Sequence, residues 1–250
     1  MGSTFLVLTN KLLRRFNELE LNSVTFSGAK GIHSLAKDGI IASLNIINQQ
    51  DWKWSFNYIT SGVADFTLTI GQELYNYPLS SEDVDIDNAH ILKTTTPDQQ
   101  AVKLNAISHN DYKLYFHQDA LNHTTASQYG LPRYICKTPD LKLIFHIKPD
   151  KAYAVNIPYW SIPTEPSNAT DTINIPTRFD DVIVDGGIWY MATMRNDTER
   201  AVLGLEKKHM TGIARMKRLL LGANINSFTS TMIPGNSGYS SRYINDTYGA

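Results

Sequence analysis

The sequence predicts an α+β protein: a helical bundle built from N- and C-terminal helices, with an inserted antiparallel β-rich domain and an extended C-terminal arm. Three observations predict it. Apolar residues recur every three or four positions near both ends of the chain. The stretch between them alternates or breaks into short, turn-bounded runs. The last segment, rich in Ser, Thr, Asn, Gly and Tyr, has too little apolar surface to fold alone. The expected boundaries are 1–51 for the first helices, 52–174 for the β-rich insert, 175–221 for the last helices and 222–250 for the arm.

Leu12, Leu13, Phe16 and Leu19 lie at helical spacing and predict a first helix over 9–21, capped by Thr9 or Asn10. Over 28–50, Ile32, Leu35, Ala36, Ile40, Leu44 and Ile47 form one stripe, although Gly31 and Gly39 each weaken it by up to about 1 kcal/mol. From Trp52 the period changes. Trp52, Trp54, Phe56 and Tyr58 alternate with polar residues as in a strand with one buried face. Further extended runs are expected at 65–70, before Pro78, and at 86–92, 101–106, 134–137, 142–147 and 152–159, and they suit antiparallel pairing. Ser108-His-Asn-Asp111 starts one short helix among the strands. The segment 161–174, with Pro163 and Pro166, reads as a connector.

Pro176 fits the first turn of a third long helix, because it lacks the amide hydrogen that would go unsatisfied there. Phe179, Val182, Ile183, Gly186, Trp189, Tyr190 and Thr193 share a face on which small residues permit close helix approach. After a break at Asn196-Asp197, a final helix carries Val202, Leu205, His209, Ile213, Met216 and Leu220 on one face and Lys207, Lys208, Arg215, Lys217 and Arg218 on the other. Two amphipathic helices at each end must bury their stripes, and one shared bundle is the economical solution.

Composition narrows the function classes. The chain has 250 residues, 42% hydrophobic, enough for one sizeable core or two small ones. With 23 basic and 24 acidic residues, no long-range field steers it to nucleic acid or an acidic membrane. One cysteine, Cys136, excludes an intrachain disulfide framework and a cysteine-based zinc site. No run is apolar enough to span a membrane, and the first residues lack the pattern of a signal peptide. A soluble protein made in a cytoplasm is expected.

Chemistry motifs fail on inspection. Asp83-Val-Asp85-Ile-Asp87 begins like a calcium loop but has Asn88 and Thr94 where Gly and Glu are required. His109, His117, His123, His146 and His209 do not form a zinc-protease pair. Gly28-Ala-Lys-Gly31 is no phosphate loop and Gly235-Asn-Ser-Gly238 no nucleophile elbow. Four Asn-X-Thr sequences, at Asn122, Asn168, Asn196 and Asn245, read as chance products of composition. The basic face of the last helix lacks interleaved aromatics and reads as a solvated face or a contact with an acidic protein. Catalytic, cofactor and metal residues are therefore expected to be none. The terminal segment either stays without fixed structure or orders on a partner, its aromatics filling pockets.

Several motifs taken together carry a resemblance. Leu12-Leu-Arg-Arg-Phe16-Asn-Glu18 with a second helix, Trp52-Lys-Trp54-Ser-Phe56 and Tyr77-Pro-Leu79 resemble the opening of head-to-tail adaptor proteins of tailed bacteriophages. Pro149-Asp-Lys-Ala-Tyr153, Pro158-Tyr-Trp160 with Pro163, and Ile175-Pro-Thr-Arg-Phe179 before a Gly-Gly helix extend the match to about residue 221. The resemblance implies a virion structural protein without enzymatic activity or cofactors, made in the bacterial host cytoplasm and placed at the head-to-tail junction. It implies a ring of identical subunits, dodecameric in the family, under the portal protein, which gives a tail nozzle or tail-tube protein its docking surface and lets genomic DNA pass without sequence-specific binding. It also implies a C-terminal extension reaching into the portal, here carrying Phe228, Tyr239, Arg242, Tyr243 and Tyr248. The rival readings are a carbohydrate-binding or glycan-processing β-domain, motivated by Trp52 and Trp160, and another tail or baseplate structural protein.

Overall fold

The structure is a computed structural model that describes residues 2–50, 53–60, 66–92, 101–118 and 125–220. Helices and several mainly antiparallel sheets make it a mixed α+β protein. It divides into two compact units, one drawn from residues 1–56 and 164–250 and the other from 57–163.

The first unit takes its helices from both ends of the chain. After strand β1 (Gly2–Thr4), helix α1 runs Phe5–Arg15, four residues earlier than the sequence predicts. Thr4, not Thr9 or Asn10, is the cap: its hydroxyl accepts the Val7 amide at 3.4 Å. The stripe simply begins sooner, at Phe5 and Leu8, both fully buried. It also stops sooner. Phe16 donates its amide to the Leu13 carbonyl, and Asn17 turns left-handed at φ 56°, so Leu19 never joins the helix. Helix α2 (Ile32–Gln50) buries Ala36, Gly39, Ile40, Ser43, Leu44 and Ile47, as its periodicity predicts.

The remaining members of this unit follow the β-rich segment. Residues 161–174 are more than a connector, because strand β13 (Thr172–Pro176) pairs antiparallel with β1 and buries Ile173 and Ile175. Two buried residues are too few for a period to show in the sequence. Pro176 ends that strand at ψ 140°, so it does not start a helix. A 3-10 turn at Thr177–Phe179 intervenes before helix α4 (Asp180–Met194). The left-handed Asn196, φ 54°, then separates α4 from helix α5 (Glu199–Leu220). Helix α2 packs on α4, α4 on α5, and α1 on both α2 and α4. Their shared core runs from Phe5 and Leu12 through Ile40, Ile47 and Ile183 to Ile213 and Met216.

Trp54 belongs to that core and not to a strand. Its ring is fully buried and stacks on Phe56 at 5.4 Å, while its Nε1 donates to the Ile47 carbonyl at 2.9 Å. A 3-10 turn at Ser55–Asn57 replaces the predicted alternation, and only β2 (Tyr58–Ile59) is extended. Trp52 lies outside the described residues, as do residues 61–65.

The second unit holds three small sheets. Strand β3 (Phe66–Thr67), β11 (Ala154–Asn156), β6 (His90–Leu92) and β7 (Ala101–Lys103) form one; β4 (Leu74–Asn76), β10 (Lys142–His146), β9 (Tyr134–Lys137) and β8 (Asn105–Ile107) form another. The third sets β12 (Tyr159–Ser161) between β2 and β5 (Ser81–Val84). Pairing is antiparallel as expected except between β8 and β9, which run parallel. Two predicted strands are each divided between sheets. Leu104, fully buried, passes the chain from β7 to β8. Pro158, which has no amide to donate, interrupts the ladder between β11 and β12. Likewise 86–92 splits into a 3-10 turn at Ile86–Asn88 followed by β6. The core is Leu68, Val84, Ile91, Leu104, Ile135, Leu143, Phe145 and Val155 with neighbouring aromatics. The predicted short helix is α3 (His109–Tyr115), its Ser108 hydroxyl accepting the Asp111 amide at 3.1 Å.

Candidate docking surfaces

Several of the titratable groups singled out in the sequence are occupied by the fold. Asp83 holds Lys137 at 2.5 Å, and Asp85 accepts Tyr58 Oη and Asn88 Nδ2, both at 2.8 Å. Those carboxylates have protein donors where a calcium loop would need a cation. Among the described residues no three of His, Cys, Asp and Glu gather so as to hold a metal ion. His209 is fully buried, its Nδ1 2.9 Å from the Val182 carbonyl, and burial pushes its pKa below the ordinary value despite that bond and the nearby Asp185. His123 lies outside the described residues.

One polar cluster joins Glu73, just before β4, to α3 and β10 in the second unit. Tyr112 Oη donates to Glu73 Oε1 at 2.5 Å, and His146 Nδ1 stands 3.9 Å from the same oxygen. Burial alone would raise the Glu73 carboxyl, but His146, the Tyr112 hydrogen bond and the Lys148 charge together hold it below its usual value. Burial and the same carboxylate raise the Tyr112 hydroxyl, and push the Cys136 thiol up to about 11. These side chains fix one another and present no nucleophile. A cleft of about 540 Å³ in this unit is lined by Gln72, Tyr75, Asn76, Tyr77, Leu79 and Tyr159 among others, with no carboxylate among the described residues of its wall. Those described residues do not supply the paired acids of a glycosidase. Trp160, the other motive for a glycan reading, is half-buried against Tyr58, 4.9 Å between ring centroids.

What the first unit offers to solvent is a braced apolar loop. Between α1 and α2, the Asn10 side chain bonds both backbone groups of Leu21, donating at 2.8 Å and accepting at 2.9 Å. Asn22 Oδ1 accepts the amides of Val24 and Thr25 at 3.0 and 2.8 Å. Phe26 packs edge-on to Phe5 at 5.1 Å beneath the Lys37 ammonium, whose Nζ also bonds the Phe26 carbonyl. This bracing holds up Leu19 and Val24, 82% and 83% exposed. Sequence reading missed them by assigning Leu19 to a helical stripe; the Asn22-Ser-Val-Thr25 turn was the signal available. In the second unit, Leu114 and Tyr115 at the end of α3 are exposed as well.

Helix α5 offers the other surface. Lys207, Arg215 and Arg218 face solvent; Lys208 is drawn to Asp185 Oδ1 at 2.7 Å and Lys217 to the Gln50 carbonyl at 2.8 Å. The expected arm residues Phe228, Tyr239, Arg242, Tyr243 and Tyr248 lie outside the described residues.

Exposed apolar loops and charged helix faces on a well-packed interior suit binding to other proteins. The model of the SU10 adaptor protein family matches residues 6–227. The chain belongs to the SU10 adaptor protein family. Membership gives this SU10 adaptor protein a structural role at the head-to-tail junction of a phage virion, in association with portal and tail proteins. The adaptor's matched region takes in both compact units, from α1 through α5. No curated protein matches the chain. Among the adaptor's described residues, no helix is long and apolar enough to cross a membrane.

Proposed function

We propose that the chain is the repeating subunit of a ring, dodecameric as in related adaptors, that joins the portal protein to a tail nozzle or tail-tube protein. Its helices form the bundle, built from both chain ends, that packs against neighbouring subunits and the portal. The β-rich insert faces outward or towards the tail. The arm from 222 to 250 engages the portal through Phe228, Tyr239, Arg242, Tyr243 and Tyr248. Genomic DNA passes through the lumen without sequence-specific binding.

The match of the SU10 adaptor protein family over residues 6–227 carries this reading. Physical support comes from the braced loop, because a subunit in a closed ring needs two unlike faces that repeat around an axis, and a rigid apolar projection supplies one of them. Electron micrographs of the purified chain with the portal protein of the same phage should show rings stacked on the portal. Deleting 222–250 should leave a folded protein that no longer binds portal. Undiminished binding by the shortened chain would refute the arm assignment, and a permanently monomeric chain would refute the ring.

A further inference from the structure

The last fourteen residues of α5, 207–220, contain five cations and no carboxylate: Lys207, Lys208, Arg215, Lys217 and Arg218. Two of the five serve the fold, Lys208 against Asp185 and Lys217 against the Gln50 carbonyl. The other three are exposed and have no ion-pair partner among the described residues. At 3.6 residues per turn, Lys207, Arg215 and Arg218 fall within about 80° of arc and spread over roughly 16 Å of helix. The helix dipole favours a cation in the final turn, which explains Arg218 alone. The positions between them on that face are small, Thr211 and Ala214, so long charged side chains stand clear of their surroundings.

Such a face fits an extended acidic surface. A nucleic acid is the less suited polyanion, because no aromatic stands among the cations and the whole chain carries 23 basic against 24 acidic residues. The helix ends at Leu220, and the thirty residues that follow, 221–250, contain one arginine and one aspartate, Arg242 and Asp246. Charge therefore concentrates on the helix, and aromatic groups on the segment after it.

We propose that Lys207, Arg215 and Arg218 form a landing face for an acidic surface of the portal protein, steering the subunit into place before the following segment engages. This rests on the assignment of that segment to the portal. Long-range attraction acts on the rate of encounter, and short-range aromatic contacts act on residence time.

The test measures association and dissociation rates of the full chain on immobilised portal rings at low and high salt. The variant K207Q/R215Q/R218Q should associate about tenfold more slowly at low salt, dissociate at the wild-type rate, and converge with wild type at high salt. The charge-conserving set K207R/R215K/R218K should retain the wild-type rate, which separates charge from shape. Equal association rates for wild type and the neutral variant would overturn the landing face and leave the arm assignment standing. Failure of the wild-type chain to bind portal would overturn both. Duplex DNA of about thirty base pairs is the competing probe: tight binding to it that the neutral variant loses, with portal association unchanged, would make the stripe a nucleic-acid surface and end the proposal.

Discussion

Gly39 and Gly187 bring helices α2 and α4 into backbone contact: a Cβ on Gly39 would stand 2.9 Å from the Gly187 carbonyl oxygen. Helix propensity alone favours alanine at Gly39 by about 1 kcal/mol, yet the atom in the way is backbone and cannot swing aside. Overpacking of this kind costs about 1–3 kcal/mol. Gly39→Ala should therefore lower stability to urea. Gly204→Ala, on α5 with nothing within 4 Å of the new methyl, should raise it by up to about 1 kcal/mol. A gain from Gly39→Ala would show that the helices separate at little cost.

Asp180 fastens the start of the chain to α4. Its Oδ2 accepts Ser3 Oγ and Lys11 Nζ, each at 2.5 Å, and the residue is 3% exposed. Asp180→Ala leaves both donors without their acceptor and should cost about 1–3 kcal/mol. Lys11→Met should cost at least as much, because it leaves a buried carboxylate with only the Ser3 hydroxyl on one oxygen and no hydrogen-bond partner on the other. A double-mutant cycle between positions 11 and 180 should give a coupling above about 0.5 kcal/mol; additive effects would show that the ammonium contributes nothing.

Acid should loosen the helical unit through His209. Its folded pKa lies below the ordinary 6.5, first because of burial, with the Val182 carbonyl and Asp185 pulling weakly the other way. The unfolded chain then binds more protons than the folded one near and below pH 6.5, so this contribution to stability is present above 6.5 and is lost as pH falls. Nε2 has no hydrogen-bond partner, so the proton would arrive at an unsatisfied buried atom. Urea midpoints measured from pH 8 to pH 5 should decline, and His209→Gln should flatten that decline. An equal slope in the variant would assign it to carboxylates.

Cys136 gives a clean probe of the other unit. It is the single cysteine, 1% exposed, with its thiol held up to about 11 by burial and then by the Glu73 charge. A thiol reagent at pH 8 should react far more slowly with the native chain than with the urea-unfolded one. Rapid native labelling would mean that the cluster around Tyr112 and Ile144 opens readily.

Much of this architecture was legible in the sequence where a pattern was long. Helices α2, α4 and α5 each repeat their stripe over several turns, and β9 and β10 are continuous apolar runs flanked by turns. Short elements were not. Strand β13 buries only two residues, and β5 is written in the acids of Ser81–Val84, which carry no apolar alternation. The aromatic row from Trp52 misled because period two over four residues does not distinguish a strand from a turn that drops one ring, Trp54, into a helical core. The turn at Asn22–Thr25 was available in the sequence, but the bracing that holds Leu19 and Val24 out was not, because it depends on Asn10 reaching across to Leu21, a tertiary contact. Glycine at 39 was legible as a weakness of one helix but not as the crossing point of two.

The partner of α2 is α4, and 129 residues, 51–179, separate them in the chain. A ribosome adding about 5–20 residues per second completes that stretch in about 6–26 s. During this interval the α4 mate of the α2 stripe does not yet exist, while residues 57–163 can close on themselves. Vectorial synthesis thus leaves the first two helices with only each other for shelter until α4 is made, a period of exposure that falls during translation, before any virion is assembled.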